Sequence, residues 1–122
     1  MSLCLAAAGL AAKIAASAFT LSWTHTIERT AWEEHWRVAP SGLVLDEARV
    51  KGSGAGMEPP EGAVLKDGFY AWRPDLPAQQ EIVLRNAPEA GDWRLCAAGR
   101  CAGVGEWLGG DAEPVTLRIC PG

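Results

Sequence analysis

The segment that decides the fold spans residues 22–38 and reads SWTHTIERTAWEEHWRV. It contains both histidines of the chain and three of its six tryptophans. Apolar and aromatic residues recur here at every second position, a period typical of β-strands because successive side chains of a strand point to opposite faces. A polar stretch, ERTA, interrupts the alternation at residues 28–31. The segment therefore predicts an antiparallel strand pair with one face lined by indole rings.

The register of this strand pair follows from the requirement that both apolar faces enter one core. Odd positions of the first strand must then oppose even positions of the second, because a slip of one residue turns a face over. A four-residue loop at 28–31 satisfies this and sets Trp23 opposite Trp36 and His25 opposite Glu34. A two-residue loop also satisfies it but sets Trp23 opposite Glu34. The first register is preferred because like side chains then meet across the strands.

His25 and Glu34 are the candidate site within this strand pair. A carboxylate on an apolar face is costly unless it is paired, and His25 is its expected partner. Three readings stay open. In the first, the pair is structural and closes one end of the core. In the second, it is a ligand site beside Trp23 and Trp36, and in the third it is a general acid–base pair. Catalysis has the least support, because no nucleophile or oxyanion hole is recognisable nearby.

The glycine-rich loop at 52–56, GSGAG, invites comparison with phosphate-binding loops. It lacks the Lys-Ser/Thr that follows the glycines of a P-loop, and the breaker cluster EPPEG takes the place of the required helix. The glycines are expected to allow a sharp or bulged turn, with a backbone-amide nest for a ligand as the alternative. The candidate ligand-binding residues are therefore His25, Glu34, Trp23, Trp36, Glu28, Glu33, Gly54 and Gly56. No catalytic residue, metal ligand or cofactor is predicted.

The remainder of the chain has the same period of two. Short apolar runs such as LVLDEARV, GFYAW, EIVLRN and PVTLRIC alternate with turn sequences rich in Gly, Pro and Asp. Lys66-Asp67-Gly68 has the Asp-Gly signature of a tight hairpin, and two further short strands are expected around Ala8-Gly9. The sequence predicts one all-β domain, 1–122, an antiparallel β-sandwich or open barrel of about eight to nine short strands.

The four cysteines, Cys4, Cys96, Cys101 and Cys120, permit two disulfides in any of three connectivities. Cys4 and Cys120 lie in apolar runs at opposite ends of the chain, as in neighbouring terminal strands. The Cys-x4-Cys spacing of CAAGRC is wider than the Cys-x2-Cys of structural zinc sites. Disulfides or buried thiols are therefore favoured over zinc.

Charge and hydropathy exclude some partners. The net charge of −4 and the lack of a Lys/Arg cluster argue against nucleic acid and an anionic membrane surface. The apolar run at residues 3–18 lacks a basic n-region and is interrupted by Lys13, so it is neither a convincing signal peptide nor a membrane span. The compartment and oligomeric state are left open.

The segments FTLSWTHTIERTAWEEHWRV, GLVLDEARVKGSGAGMEPPEG and DGFYAW together resemble domain-of-unknown-function family 1850, a family of small bacterial proteins. The residues that match its pattern are His25, Glu28, Thr30, Glu33, Glu34, Gly54, Ala55 and Gly56. The resemblance implies a place in the cell envelope and an association with TAXI-type TRAP transporters, and no established activity. It favours a non-enzymatic accessory protein that binds a small organic solute or a transporter component. The alternatives are a small hydrolase using a His/Glu pair and a structural module that docks a partner.

Overall fold

A computed structural model of the chain describes residues 1–24, 31–51, 62–85 and 93–122. Within these ranges it contains eleven β-strands and one short α-helix. They are β1 (Ser2–Ala7), β2 (Leu10–Ile14), β3 (Ala18–Thr24), β4 (Ala31–Ala39), β5 (Gly42–Lys51), β6 (Val64–Lys66), β7 (Phe69–Trp72), β8 (Glu81–Leu84), β9 (Arg94–Ala97), β10 (Arg100–Gly103), α1 (Val104–Leu108) and β11 (Val115–Cys120). The all-β prediction is confirmed, although the expected eight to nine strands are too few.

The strands form two antiparallel sheets. The smaller sheet has the order β2-β1-β11-β8, and the larger has the order β10-β9-β3-β4-β5-β7-β6. Neither sheet closes on itself, so the architecture is a sandwich rather than a barrel. None of the described helical segments has the length and apolar character needed to cross a bilayer.

The hydrophobic core lies between the two sheets. Leu5 and Leu117 of the smaller sheet and Leu21, Leu43 and Leu95 of the larger sheet are fully buried in one continuous cluster. These residues occupy alternate positions of their strands, as expected where one face of each sheet is covered. The alternation that predicted the strands is therefore the pattern that builds the core.

The two chain ends are neighbours in the smaller sheet. β1 turns at Ala8-Gly9 into β2, as predicted, and both turn residues have positive φ, of 40° and 86°. On its other side β1 pairs with β11, and a disulfide joins Cys4 to Cys120. The expectation that these two cysteines lie on adjacent terminal strands is confirmed.

Two tight hairpins lie in the larger sheet. Asp67-Gly68 joins β6 to β7, with φ of 53° and 83°, which confirms the predicted Asp-Gly turn. Ala98-Gly99 joins β9 to β10 in the same manner, with φ of 51° and 78°. This hairpin places Cys96 directly opposite Cys101, to which it is disulfide-bonded.

The short helix α1 follows β10 directly and was not predicted. It ends at Gly109, whose φ of 85° is the left-handed conformation common after a helix. The indole of Trp107 on this helix donates a hydrogen bond of 2.9 Å to the Leu95 carbonyl. Five residues are too few to show a helical period in sequence, so tertiary contacts set this element.

The predicted register of β3 and β4 is wrong, while the predicted faces are right. Trp23 lies opposite Trp32 and Glu34 lies opposite Leu21, an offset of four residues from the expected pairing. Such an even offset keeps every side chain on its expected face. The observed register creates two aromatic pairs, Phe19 with Trp36 and Trp23 with Trp32, whose rings are nearly parallel. These pairs outweigh the mismatch of Glu34 with Leu21.

Candidate functional site

Glu34 lies on the core-facing side of the larger sheet without a histidine opposite it. Its neighbours across the strands are Leu21 on β3 and Ala48 on β5, and both are buried. Trp36, two positions further along β4, donates a hydrogen bond of 3.1 Å from its indole Nε1 to Glu34 Oε1. The partner expected for Glu34, His25, lies outside the described residues. In the structure an indole takes the place of the predicted imidazole.

Burial raises the pKa of the Glu34 carboxyl above its ordinary value, and the hydrogen bond from Trp36 opposes this shift only in part. A carboxyl with a raised pKa in the folded state binds a proton more tightly when folded than when unfolded. The contribution of Glu34 to stability is therefore most favourable at acid pH. It becomes less favourable as the pH rises from the ordinary carboxyl range through the raised folded-state pKa.

We accordingly expect Glu34→Gln to raise the melting temperature at pH 7 by a few degrees. The amide keeps an acceptor for the Trp36 indole and removes the cost of a buried charge. Below pH 4 the wild-type side chain is protonated, so the difference between the two proteins should become small. Thermal melts of both proteins from pH 3 to 8 measure this difference.

Glu47→Gln is the matched control, on the opposite face of the same sheet. The substitution removes the negative charge that accepts hydrogen bonds of 2.9 and 3.0 Å from Arg49. The Glu47→Gln protein should therefore be slightly less stable than wild type at pH 7. A Glu34→Gln protein that is less stable than wild type at pH 7 would show that the ionised carboxylate supports the fold.

Four tryptophans lie on the core-facing side of the larger sheet, next to the hydrophobic cluster. Trp23 and Trp32 stack with ring centroids 5.4 Å apart, and Trp93 and Trp72 meet the two ends of this pair edge-on at 5.8 and 6.5 Å. All four are half-buried. Trp36, in contrast, is buried within the core. The predicted indole-lined face exists, and most of its rings contact one another.

The outer face of the larger sheet is polar. A β-bulge between His35 and Trp36 leaves Asp46 and Glu47 as successive polar residues on β5. Asp46 accepts hydrogen bonds from Arg37, and Glu47 accepts from Arg49. The Arg37 guanidinium holds the pKa of the Asp46 carboxyl below its ordinary value. Most charges of this face are therefore neutralised in pairs.

A cleft of about 440 Å³ opens at the end of the β3–β4 strand pair, where the described part of β3 stops. We call it the hairpin cleft. Its lining residues are Ser22, Trp23, Thr24, Ala31, Trp32, Glu33 and Arg94. Three of them share one rung of the sheet, since Ser22 on β3 lies opposite both Arg94 on β9 and Glu33 on β4. Side chains directly opposite one another share a face, so the cleft has a cation, a hydroxyl and a carboxylate in a row.

A second cleft of about 520 Å³ lies further along the same face and is lined by His35, Lys66 and Arg73 among others. The Nε2 atom of His35 is buried and has no hydrogen-bond partner in the described ranges. Its nearest carboxylate oxygen is Glu33 Oε1 at 3.8 Å. This distance is too long for a hydrogen bond, so the contact is an ion pair only when the imidazole is protonated.

The structure divides the predicted site residues between the hairpin cleft and the core. Trp23 and Glu33 line the hairpin cleft, whereas Glu34 and Trp36 contact each other on the core-facing side. His25, Glu28, Gly54 and Gly56 lie outside the described residues, so their roles stay predictions. Sequence reasoning missed Arg94 and Trp32 as lining residues. Alternation along WRLCA indicates that Arg94 points outward, but only the sheet order shows which strand lies beside it.

Among the described residues, no group of three or more His, Cys, Asp or Glu side chains could hold a metal ion. All four cysteines are in disulfides. The donors that zinc would need are therefore engaged in bonds to one another. The chemistry available in the hairpin cleft is that of hydrogen bonds and ion pairs with a bound molecule.

Comparison with known proteins identifies one family. The family model described as "Domain of unknown function (DUF1850)" matches residues 19–103, well over half of the chain. The match covers β3 to β10, and so includes every residue that lines the hairpin cleft. Neither the curated proteins nor the solved structures gave a significant match to this chain.

Proposed function

Because the chain belongs to the DUF1850 family, whose description names no activity, we propose from its geometry that it is a non-enzymatic module that binds a small organic solute. The hairpin cleft is the binding site. The observation that carries the proposal is Arg94, an exposed guanidinium that forms no ion pair with the described residues although the chain has a net charge of −4. An uncommitted cation at the mouth of a cleft is available to a ligand.

The other residues of the hairpin cleft support the same proposal. The hydroxyl groups of Ser22 and Thr24 both donate and accept hydrogen bonds, as a site for a polar solute requires. The rigid strands β3, β4 and β9 position the lining, and this reduces the entropy lost on binding.

Catalysis is the weaker alternative. In the part of the chain that the structure describes, no serine, threonine or cysteine of the cleft has a hydrogen bond to a histidine or carboxylate that could act as its base. The hydrolase alternative would use Glu34 or Glu33 as a base with His25. Glu34 is hydrogen-bonded to Trp36 away from the cleft, and Glu33, which lines the cleft, has no hydrogen bond to a serine, threonine or cysteine among the described residues. A binding role needs neither group.

The partner-docking alternative would be favoured by an exposed apolar patch, for which Phe69, Tyr70 and Trp72 are the candidate residues. These three side chains are half-buried in β7, and the large exposed apolar residues nearby are Val64 and Leu65 of the edge strand β6. Three residues of edge strand present little surface to a partner. The patch that the alternative required is therefore small.

The proposal also covers the compartment of the protein and the transport system beside which it acts. Two disulfides suit an oxidising compartment, which favours the cell envelope over the cytoplasm. The resemblance of the segment around residues 18–72 to family 1850 implies a neighbouring TRAP-type uptake system. Binding a solute beside such a transporter is the accessory role that we propose.

Thermal melts of the oxidised protein against small organic acids, amino acids and divalent cations test the proposal. We expect one class of solute to raise the melting temperature, by several degrees at about 100 times its dissociation constant, where binding contributes about 2.7 kcal/mol. Arg94→Gln should abolish the shift. Arg118→Gln, on the smaller sheet, removes an exposed ion pair with Glu81 and should retain the shift. No shift with any solute, or a full shift in Arg94→Gln, would contradict the proposal.

A further inference from the structure

The row formed by Arg94, Ser22 and Glu33 has an unusual distribution of charge. The three residues occupy one rung of adjacent strands, with Ser22 in the middle. Neighbouring strands are about 4.8 Å apart, so the Cα atoms of the guanidinium and carboxylate residues are separated by roughly 10 Å. Both side chains are long enough to close that distance, yet they form no ion pair. The space above Ser22 therefore lies between two opposite charges.

Neither charge has a hydrogen-bond partner within the described ranges, although Glu33 Oε1 lies 3.8 Å from His35 Nε2. Arg94 has no hydrogen bond or ion pair there, and the Glu33 side chain, only 28% exposed, has no hydrogen bond. The nearest cation across β4 and β5 is Arg49, but its guanidinium is bonded to Glu47. A half-buried carboxylate without a donor is costly, so this arrangement points to a ligand that supplies one.

Four other arginines of the described ranges have a partner, whereas Arg73 and Arg85, like Arg94, form no side-chain hydrogen bond or ion pair there. Arg37, Arg49 and Arg118 each bond a carboxylate, and Arg100 lies 4.4 Å from the ring centroid of Trp107. Arg94 has a carboxylate two strands away, on the same face, and does not pair with it.

We propose that the hairpin cleft binds the zwitterionic head of a free α-amino acid. The Arg94 guanidinium binds the carboxylate through two parallel N–H donors, a geometry that matches a carboxylate. The ammonium group donates to Glu33 and to the Ser22 hydroxyl, which lies between the two charges. The side chain of the amino acid extends along the cleft toward Thr24 and Ala31.

This inference rests on the proposed function and specifies its ligand class. An organic acid without an amine would satisfy Arg94 and leave Glu33 without a donor. An amine without a carboxylate would do the reverse. A molecule that carries an ammonium and a carboxylate on one carbon satisfies the whole row, because each charged group then has a hydrogen-bond partner.

Isothermal titration with three molecules of similar shape tests the inference, namely L-alanine, L-lactate and L-alaninamide at pH 7. Lactate replaces the ammonium by a hydroxyl, and alaninamide replaces the carboxylate by a neutral amide. We expect alanine to bind at least about 10-fold more tightly than either analogue. Arg94→Gln and Glu33→Gln should each weaken alanine binding by a similar factor. Arg118→Gln should leave it unchanged.

The analogues separate the roles of the two charges. Arg94→Gln should remove the preference for alanine over alaninamide, and Glu33→Gln should remove the preference for alanine over lactate. Equal binding of alanine and lactate by the wild-type protein would overturn the zwitterion, while the proposed solute-binding function would stand. Absence of alanine binding would overturn the inference as well. If every solute of the wider panel also failed to bind, the proposed function would fall with it.

Discussion

Replacing Cys4 and Cys120 together by alanine is expected to lower the free energy of unfolding by about 5 kcal/mol. The disulfide joins residues separated by 116 positions, so it closes a loop that includes nearly the whole chain. A cross-link over a long loop removes more conformational entropy from the unfolded chain than one over a short loop. Domains of this size are stable by only about 5–15 kcal/mol, so the variant should be marginally stable. Urea denaturation with linear extrapolation measures the loss.

The second disulfide provides the matched control. Cys96 and Cys101 are separated by five positions within the β9–β10 hairpin, so the same reasoning gives a loss of about 2 kcal/mol for their double replacement. The two variants each lose two sulfur atoms and differ mainly in loop length. Equal losses would show that local packing, rather than chain entropy, determines what these bonds contribute.

Replacing Trp36 by alanine is expected to cost about 3–5 kcal/mol, the usual range for truncating a buried aromatic side chain. Trp36 is 5% exposed and stacks on Phe19 with ring centroids 6.2 Å apart. Its loss leaves a cavity between the sheets and removes the hydrogen bond to Glu34. Chemical denaturation at pH 7 measures the change.

Trp36→Phe separates these two contributions. Phenylalanine retains most of the ring but cannot donate to Glu34, so we expect a smaller loss of roughly 1–2 kcal/mol. That loss should diminish at acid pH, where Glu34 is protonated and no longer carries a buried charge. A cost below about 1 kcal/mol for Trp36→Ala would contradict the assignment of Trp36 to the core.

These predictions assign different roles to the two faces of β4. The core-facing side holds Trp36 and Glu34, and changes there should affect stability. The outer side holds Glu33, and changes there should affect binding. Glu33 and Glu34 are adjacent in sequence and identical in chemistry. The alternation of the strand gives them different environments, so their substitution should have different consequences.

Much of the fold can be predicted from local sequence. Alternation identifies β3, β4 and β5 and assigns their faces, because the period of a strand is independent of its partners. Asp67-Gly68 and Ala8-Gly9 mark turns that need positive φ, a requirement met within the turn itself. The strand pair formed by β9 and β10 is harder to recognise, since its turn, Ala98-Gly99, is short and the strands have four residues each.

The register of β3 against β4 shows where local reasoning fails. The required parity excludes odd offsets but leaves every even offset allowed. The observed register pairs Phe19 with Trp36 and Trp23 with Trp32, and it places Glu34 opposite Leu21. The favourable aromatic contacts must therefore outweigh the unfavourable contact of Glu34 with Leu21, and a sequence pattern does not show this balance. The bulge at His35/Trp36 is a related case. The bulge lets both Asp46 and Glu47 lie on the outer face, while the residues of β5 before and after them still point into the core.

The sequence by itself determined the all-β class, most strands, the two faces of the β3–β4 pair and the family. These properties depend on a residue and its near neighbours in the chain. Only the tertiary structure decided that Arg94 stands beside Ser22 and Glu33, and that Glu34 bonds Trp36. Arg94 is about 70 positions from Ser22 in sequence, and its strand reaches β3 only through the order of the sheet. Long-range pairing follows from the packing of the whole domain, which no local period encodes.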